Sequence, residues 1–299
     1  MSGRSLMGAT GAGKSTFINT SCGSSKMKVG RGLRSCTKDL GGTTFDLDDG
    51  EVTLVDTPGF NDDKLTDTEV LVMIANFLEV TYAEGIKLAG IVYMYDISGE
   101  RMGGTGEQNL SMFEQLCGTD FKTNVAIVTN RWDKMEGDEE LAEERITQLQ
   151  EEYWADWLEN GTKLFRHDGT PYSAHKIIRH LAKLPVKGTK LQKQLVEQDI
   201  PLMDTAAGEK VSREATELRK KLEAQFAVTL EKSETDISGK YDKRLKDLQE
   251  RLDDNMKDFK RLESREKEVE SLKSELKVLK DTKVRTHMWR RTKGFFGFD

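Results

Sequence analysis

Apolar residues follow two rhythms along this chain. Up to about residue 203, short apolar runs alternate with amphipathic stretches; beyond it, apolar positions recur every three or four residues among charges. The first rhythm predicts strands over 44–47, 52–56, 88–95, 124–129 and 163–167, with helices over 64–82, 106–117, 138–158 and 172–184, the alternation expected of a sheet with crossover helices. Asp48, Asp49 and Gly50 stand between the first two strands as an Asp-Gly hairpin would, which makes that pair antiparallel. Within 138–158, Ile146, Leu149, Tyr153 and Trp157 line one helical face and should press on the sheet.

The second rhythm is carried by Leu218, Leu222, Phe226 and Leu230, then by Leu245, Leu248, Leu252, Met256, Phe259, Leu262 and onward to Leu279. All four prolines precede residue 204, and 208–283 has one internal glycine, Gly239. The pattern is that of a coiled coil: an arm on the order of 110 Å if it is continuous, with a bend or hairpin expected over 233–239. The chain thus divides into 1–205, an arm over 206–285 and a tail over 286–299.

Composition sharpens this division. Of 299 residues, 36% are hydrophobic, enough for one sizeable core, while 33% are charged. Residues 1–203 hold 22 basic against 31 acidic residues, and the remainder 24 against 21. An acidic first part lacks the clustered cations that nucleic-acid binding requires, so nucleic acid is not an expected partner. Three scattered cysteines, Cys22, Cys36 and Cys117, form no disulfide framework and suggest a reducing compartment. With no signal-like leader and no apolar run long enough to span a bilayer, the expectation is a cytoplasmic protein. The tail over 287–298 interleaves Arg290, Arg291 and Lys293 with Trp289, Phe295, Phe296 and Phe298, which suits a peripheral contact with an anionic membrane surface or a partner helix.

The chemistry is concentrated in four short segments. Gly8, Ala9, Thr10, Gly11, Ala12, Gly13, Lys14 and Ser15, followed by Thr16, fit the pattern G-x-x-x-x-G-K-[ST], whose backbone N–H groups turn inward on phosphates. Lys14 brings a positive charge to the β and γ phosphates, Ser15 a hydroxyl to Mg²⁺, and the helix starting at Ser15 its positive end. Asp56-Thr57-Pro58-Gly59 closes the apolar run 52–55; an acid at a strand end reaches Mg²⁺ through water, and the Gly59 N–H is placed to meet a γ-phosphate, a contact that vanishes on hydrolysis. In Asn130-Arg131-Trp132-Asp133, the Asp133 carboxylate accepts from both N1–H and the 2-amino group of guanine, a donor pair adenine lacks, which disfavours an ATPase. Asn130 bridges this loop to the phosphate loop, the Arg131 stem covers the base, and Trp132 is read as packing. Ser173-Ala174 resembles the segment whose backbone N–H meets the guanine oxygen. His167, His175 and His180 have no metal-site spacing, and no chemistry is assigned to them.

The order GATGAGKS, DTPG, NRWD, SA resembles translation-factor-class GTPases, and among them the AIG1-type group (immunity-associated, Toc-like and septin-related), especially its fungal G domain-containing members. The stretch 97–118, ISGERMGGTGEQNLSMFEQLCG, is similar to the box that group carries between DTPG and the base motif. The resemblance covers about 5–205. It implies an α/β phosphate-loop NTPase fold, a three-layer sandwich with a mostly parallel sheet followed by the long C-terminal helical arm. It also implies GTP or GDP with Mg²⁺ as cofactors. By it Thr37 is the switch threonine that joins Ser15 and Asp56 at the metal, with Thr43 the runner-up, and Lys14, Thr37 and Gly59 serve turnover.

Two departures matter. The segment 1–7 is polar and short where an apolar central strand is expected, which would weaken the sheet and fits an incomplete chain start. Phe60 follows Gly59 where some GTPases have a water-orienting glutamine; AIG1-like members also lack it. Hydrolysis is therefore expected to be slow, or completed by a second copy joined through the G domain or the arm. Arg101 is weighed as a charge-neutralising arginine acting in trans and read instead as an ion-paired or interface one. The reading is a slow GTPase switch; its rival is a nearly non-hydrolysing GTP-binding scaffold whose arm and tail recruit partners.

Overall fold

The structure, a computed structural model, describes residues 3–8, 11–23, 41–48, 50–60, 65–83, 85–99, 102–234 and 242–281. Six strands form one sheet in the order β2-β3-β1-β4-β5-β6. They are β1 Gly3–Gly8, β2 Gly41–Leu47, β3 Gly50–Asp56, β4 Leu88–Asp96, β5 Val125–Asn130 and β6 Lys163–Arg166. All neighbours pair in parallel except β2 with β3. That antiparallel pair is the expected hairpin: Leu47 opposes Gly50, and Asp48 takes a left-handed φ of 55°, as a two-residue turn of the primed type demands. Arg179 grips the Asp48 carboxylate from a helix with two bonds of 2.8 and 2.7 Å.

The polar start of the chain does form the central strand. β1 pairs Gly3–Leu6 with Thr53–Asp56 on one side and Arg4–Gly8 with Gly90–Met94 on the other, so backbone bonds from two neighbours hold a segment whose sequence reads weakly.

Alternation along the strands splits the core into two layers. Val92, Met94, Ala126 and Val128 face helices α1 (Lys14–Cys22) and α6 (Pro171–Ala182), meeting Phe17, Ile18, Ile177, Ile178 and Leu181. Ile91, Tyr93, Val125 and Ile127 face the larger layer, which includes α2 (Asp67–Ala83) and α3 (Gly104–Cys117). The helix expected over 138–158 is broken into α4 (Glu139–Gln148), a π turn (Leu149–Tyr153) and α5 (Ala155–Glu159). The wider turn shifts the helical phase, and Trp154 and Trp157 both enter the core beside Ile146 and Leu149. A short α7 (Lys190–Gln192), opened by a capping box of Thr189 and Gln192, leads to the C-terminal helices.

The C-terminal pattern forms α8 (Ala206–Glu234) and α9 (Asp242–Asp281), with 235–241, where the bend was expected, outside the described residues. The two helices run antiparallel, with Asn255 Nδ2 donating to the Ala215 carbonyl at 3.1 Å. They also fold back on the sheet domain, since Ala207, Val211 and Leu262 belong to the same buried cluster as α2 and α3. α9 lies parallel to α2: Thr66 Oγ1 donates to Asp258 at 2.9 Å, Arg261 pairs with Glu69, and Arg265 donates to Asn76 and Glu79 at 2.7 and 2.5 Å. Of the apolar arm positions, Leu222, Leu248, Leu262 and Val269 are buried while Leu218, Leu230 and Met256 are exposed. Among the described residues no helix is long and apolar enough to cross a membrane. The tail over 286–299 lies outside the described residues.

Candidate functional site

The parallel strands all end on one edge of the sheet, and three of the four sequence segments leave from there: the phosphate loop after β1, Asp56–Gly59 at the end of β3, and Asn130–Asp133 at the end of β5. β1 is where the strand order reverses, with β3 on one side and β4 on the other, and in such sheets ligands occupy the crevice at that point.

Gly8 ends β1; Ala9 and Thr10 lie outside the described residues. Gly11 and Gly13 take left-handed φ values of 80° and 87°, which glycine adopts without strain. At Gly13 space is decisive as well, because a Cβ there would sit 2.5 Å from Asn130 Nδ2. Lys14 opens α1 and is buried, Ala12 is buried, and Thr16 faces solvent. The Ser15 hydroxyl donates to Asp56 Oδ2 at 2.5 Å, joining the helix start to the end of β3.

Asp56 is 1% exposed, and its other oxygen, Oδ1, has no hydrogen-bond partner among the described residues. Burial pushes its carboxyl above the ordinary range, opposed by the charge of Lys14 and the bond from Ser15. A buried carboxylate oxygen without a donor is costly unless something else meets it. Among the described residues no three or more His, Cys, Asp or Glu converge on a point. One carboxylate and one hydroxyl form the sparse, hard-oxygen set that suits Mg²⁺, which keeps most of its octahedral shell for water and phosphate. The residues present fit that ion.

Thr57 and Gly59 are buried beside Asp56. Phe60 is 4% exposed and packs into the larger core layer, so its ring serves the core. Thr37 and Arg101 lie outside the described residues. Thr43, the runner-up, is buried within β2 opposite Leu54, where it is part of the sheet.

Two side chains tie the base loop to the phosphate loop. Asn130 Nδ2 donates to the Ala12 carbonyl and Arg131 Nη2 to the Gly11 carbonyl, both at 2.7 Å. Arg131 has a φ of 60°, a left-handed turn that ends β5. Trp132 is half-buried, its indole donating to Thr129 and its ring lying 3.8 Å under the Arg166 guanidinium, so it packs as expected. Asp133 is exposed in the turn that follows.

Ser173 and Ala174 are not brought to this edge as loop residues. They lie in the first turn of α6, with Ser173 N donating to Thr170 Oγ1 and Ala174 N to the Thr170 carbonyl, both at 3.2 Å. Their N–H groups cap and build the helix. Thr170-Pro171, a threonine cap with proline at the first helical position, is the signal that marks this helix start in the sequence. The segment that leaves β6 beside the base loop is His167–Thr170, with His167 N donating to the Thr129 carbonyl at 2.8 Å. His167 is buried and contacts Ser173 Oγ at 2.8 Å; burial lowers its pKa, against the pull of Asp168. Sequence reasoning passed over this segment and over Asp96, whose carboxylate pairs with Arg131 at 2.8 Å.

The family model described as the 50S ribosome-binding GTPase matches residues 4–131, from β1 through Arg131, and so spans the phosphate loop, Asp56–Gly59 and the first two residues of the base loop. The fold is that of the P-loop GTPases. This domain is similar in fold to Toc33 from Arabidopsis thaliana in complex with Mg²⁺ and GMPPNP, at 14% identity and a TM-score of 0.49, covering 60% of this chain and 84% of that one. It is also similar to Aquifex aeolicus Era bound to GDP·AlF4⁻, at 18% identity and a TM-score of 0.42 over 61% and 56% of the two chains. A third is the elongation factor SelB of Methanococcus maripaludis with a GTP analogue, at 16% identity and 0.40 over 62% and 34%. The sequence has no significant match among curated proteins.

Proposed function

We propose that the chain binds guanine nucleotide with Mg²⁺, hydrolyses GTP slowly, and acts as a nucleotide-dependent switch. The observation that carries this reading is the tie between base loop and phosphate loop, Asn130 to Ala12 and Arg131 to Gly11, with Asp133 exposed two residues further on. A nucleoside triphosphate spans such a gap with its base at Asp133 and its phosphates on residues 8–16. Lys14 offsets phosphate charge, and Ser15 and Asp56 would hold Mg²⁺, which when bound neutralises charge on the β and γ oxygens. Thr37 joins them in the triphosphate state by the AIG1-type resemblance, and Gly59 senses the γ-phosphate. Residues 1–205 are the nucleotide-binding part in this reading, 206–285 the helical arm and 286–299 a tail for a membrane surface or partner. The contacts of α9 along α2, which follows Gly59 in the chain, support a reading in which the arm responds to the switch.

A second reading has a specific observation in its favour. Phe60 is packed into the core, so the position after Gly59 offers no group to orient an attacking water. Either a second copy completes the site, in which case the protein is a dimer when it turns over, or the protein is a GTP-binding scaffold. Competition of GTP and ATP for the purified chain, then single-turnover hydrolysis at low and raised protein concentration, separates these. Turnover that rises with concentration supports completion by a second copy. Tight GTP binding without turnover at any concentration leaves the scaffold, and equal affinity for both purines refutes guanine selection.

A further inference from the structure

Asp96 is the last residue of β4 and sits opposite Asn130 at the end of β5. Its Oδ1 accepts from Ser98 N and Ser98 Oγ at 3.0 and 2.7 Å, and its Oδ2 pairs with Arg131 Nη1 at 2.8 Å. The other terminal nitrogen of the same guanidinium donates to the Gly11 carbonyl at 2.7 Å. One planar fork therefore joins the end of β4 to the phosphate loop. From this geometry we infer that Asp96 is a positioning residue for phosphate binding, acting through Arg131; the inference rests on the guanine-nucleotide reading above.

The reasoning turns on the geometry of a trans peptide, whose C=O and following N–H point in opposite directions. Holding the Gly11 carbonyl outward on Arg131 aims the Ala12 N–H inward, to the side where a phosphate sits. Asn130 does the same one peptide later, holding the Ala12 carbonyl and aiming the Gly13 N–H. Gly11 needs such help. Glycine has no side chain to limit its backbone, and a hydrogen bond from outside is what orients the peptide. Arg131 can provide this bond reproducibly only if its own fork is fixed, and the carboxylate that fixes it is Asp96, itself held by Ser98. A lysine at 131 has a single ammonium on a flexible stem and no rigid fork to span Asp96 and Gly11 together. The chain's arginine and Asp96 are thus one device.

The test is the dissociation rate of a fluorescent GDP analogue from the full chain, with Asp96→Asn, Arg131→Lys and the double variant, and Lys14→Ala as a control for phosphate binding. Asp96→Asn and Arg131→Lys should each speed release roughly three- to tenfold, the range for a half-exposed charged pair, with little change in association. The double variant should release no faster than about twice the quicker single variant, because both remove one linkage. In Asp96→Asn the preference for GTP over ATP should stay near wild type, since Asp96 acts on the phosphate loop and has no assigned contact with the base. Release from Asp96→Asn at the wild-type rate, or effects that multiply in the double variant, would overturn the inference while guanine binding by the wild-type chain stands. If the wild-type chain binds no guanine nucleotide, or Lys14→Ala binds it equally well, the parent reading fails and this one with it.

Discussion

Replacing Arg265 by methionine probes how firmly the C-terminal helices are held on the sheet domain. The Arg265 and Glu79 side chains are 2% and 6% exposed, and the guanidinium donates to Asn76 Oδ1 at 2.7 Å and to Glu79 Oε2 at 2.5 Å. With so little solvent to screen it, removing one member of the pair strips a buried carboxylate of its cation, a change that costs about 3–5 kcal/mol. At about 2 °C per kcal/mol for a chain of this size, the melting temperature should fall by roughly 6–10 °C. The chain has one way to limit that loss, which is to let α9 separate from α2 so that water reaches Glu79. Hydrogen exchange distinguishes the outcomes: separation speeds amide exchange in α2 and α9 and leaves β4 and β5 protected, whereas an intact interface shows a lowered melting temperature alone. The double variant Glu79→Leu/Arg265→Met, which replaces both charges by apolar groups, should recover most of the stability. An Arg265→Met chain that melts within 1 °C of wild type, with unchanged exchange in α2 and α9, would refute the reasoning that this pair secures the two helices.

Three further outcomes are expected. Asp133→Ala should lower the preference for GTP over ATP about 100-fold, the loss of a charged acceptor facing two donors, and competition binding with both triphosphates measures it. Gly13→Ala forces a Cβ to within 2.5 Å of Asn130 Nδ2 at a φ of 87°, so the tie to Ala12 must break; GDP affinity measured by calorimetry should drop at least roughly tenfold. Asp168 accepts from Ser173 Oγ, Thr170 Oγ1 and Thr170 N, and these bonds hold its carboxyl well below its ordinary value of 3.8. Its stabilising effect on the start of α6 is therefore present above that ordinary value and is lost as pH falls through the folded one. The difference in melting temperature between wild type and Asp168→Asn should be constant near neutrality and vanish in acid, and a difference that persists at low pH would contradict it.

What could be read directly from the sequence was whatever depends on neighbours along the chain. A phosphate loop is backbone N–H groups in succession, so glycine spacing and Lys14-Ser15 announce it in eight residues. Asp56-Thr57-Pro58-Gly59 and Asn130-Arg131-Trp132-Asp133 are legible for the same reason, each closing an apolar run that had to be a buried strand. The hairpin at Asp48 follows from turn chemistry. The apolar runs over 88–95 and 124–129, likewise local, marked β4 and β5 as strands.

Tertiary structure decided whatever joins distant segments or depends on where an element begins. Polar residues before Gly8 read as a poor strand, yet β1 is central because its two neighbours supply the bonds its side chains do not advertise. Ser173-Ala174 looked like a base-contacting segment; the start of α6 at Pro171 commits both N–H groups to the helix. Asp96 and Arg131 are 35 residues apart, and only the parallel register of β4 with β5 makes them neighbours. The three-and-four spacing of the last helices specifies an apolar stripe without naming what covers it, since hydrophobic burial is non-directional. A second chain, the other helix or α2 would each satisfy it equally. Buried charge is more selective than a stripe, because a guanidinium withdrawn from water must find a fixed acceptor, and Arg265 finds Glu79 and Asn76 on α2.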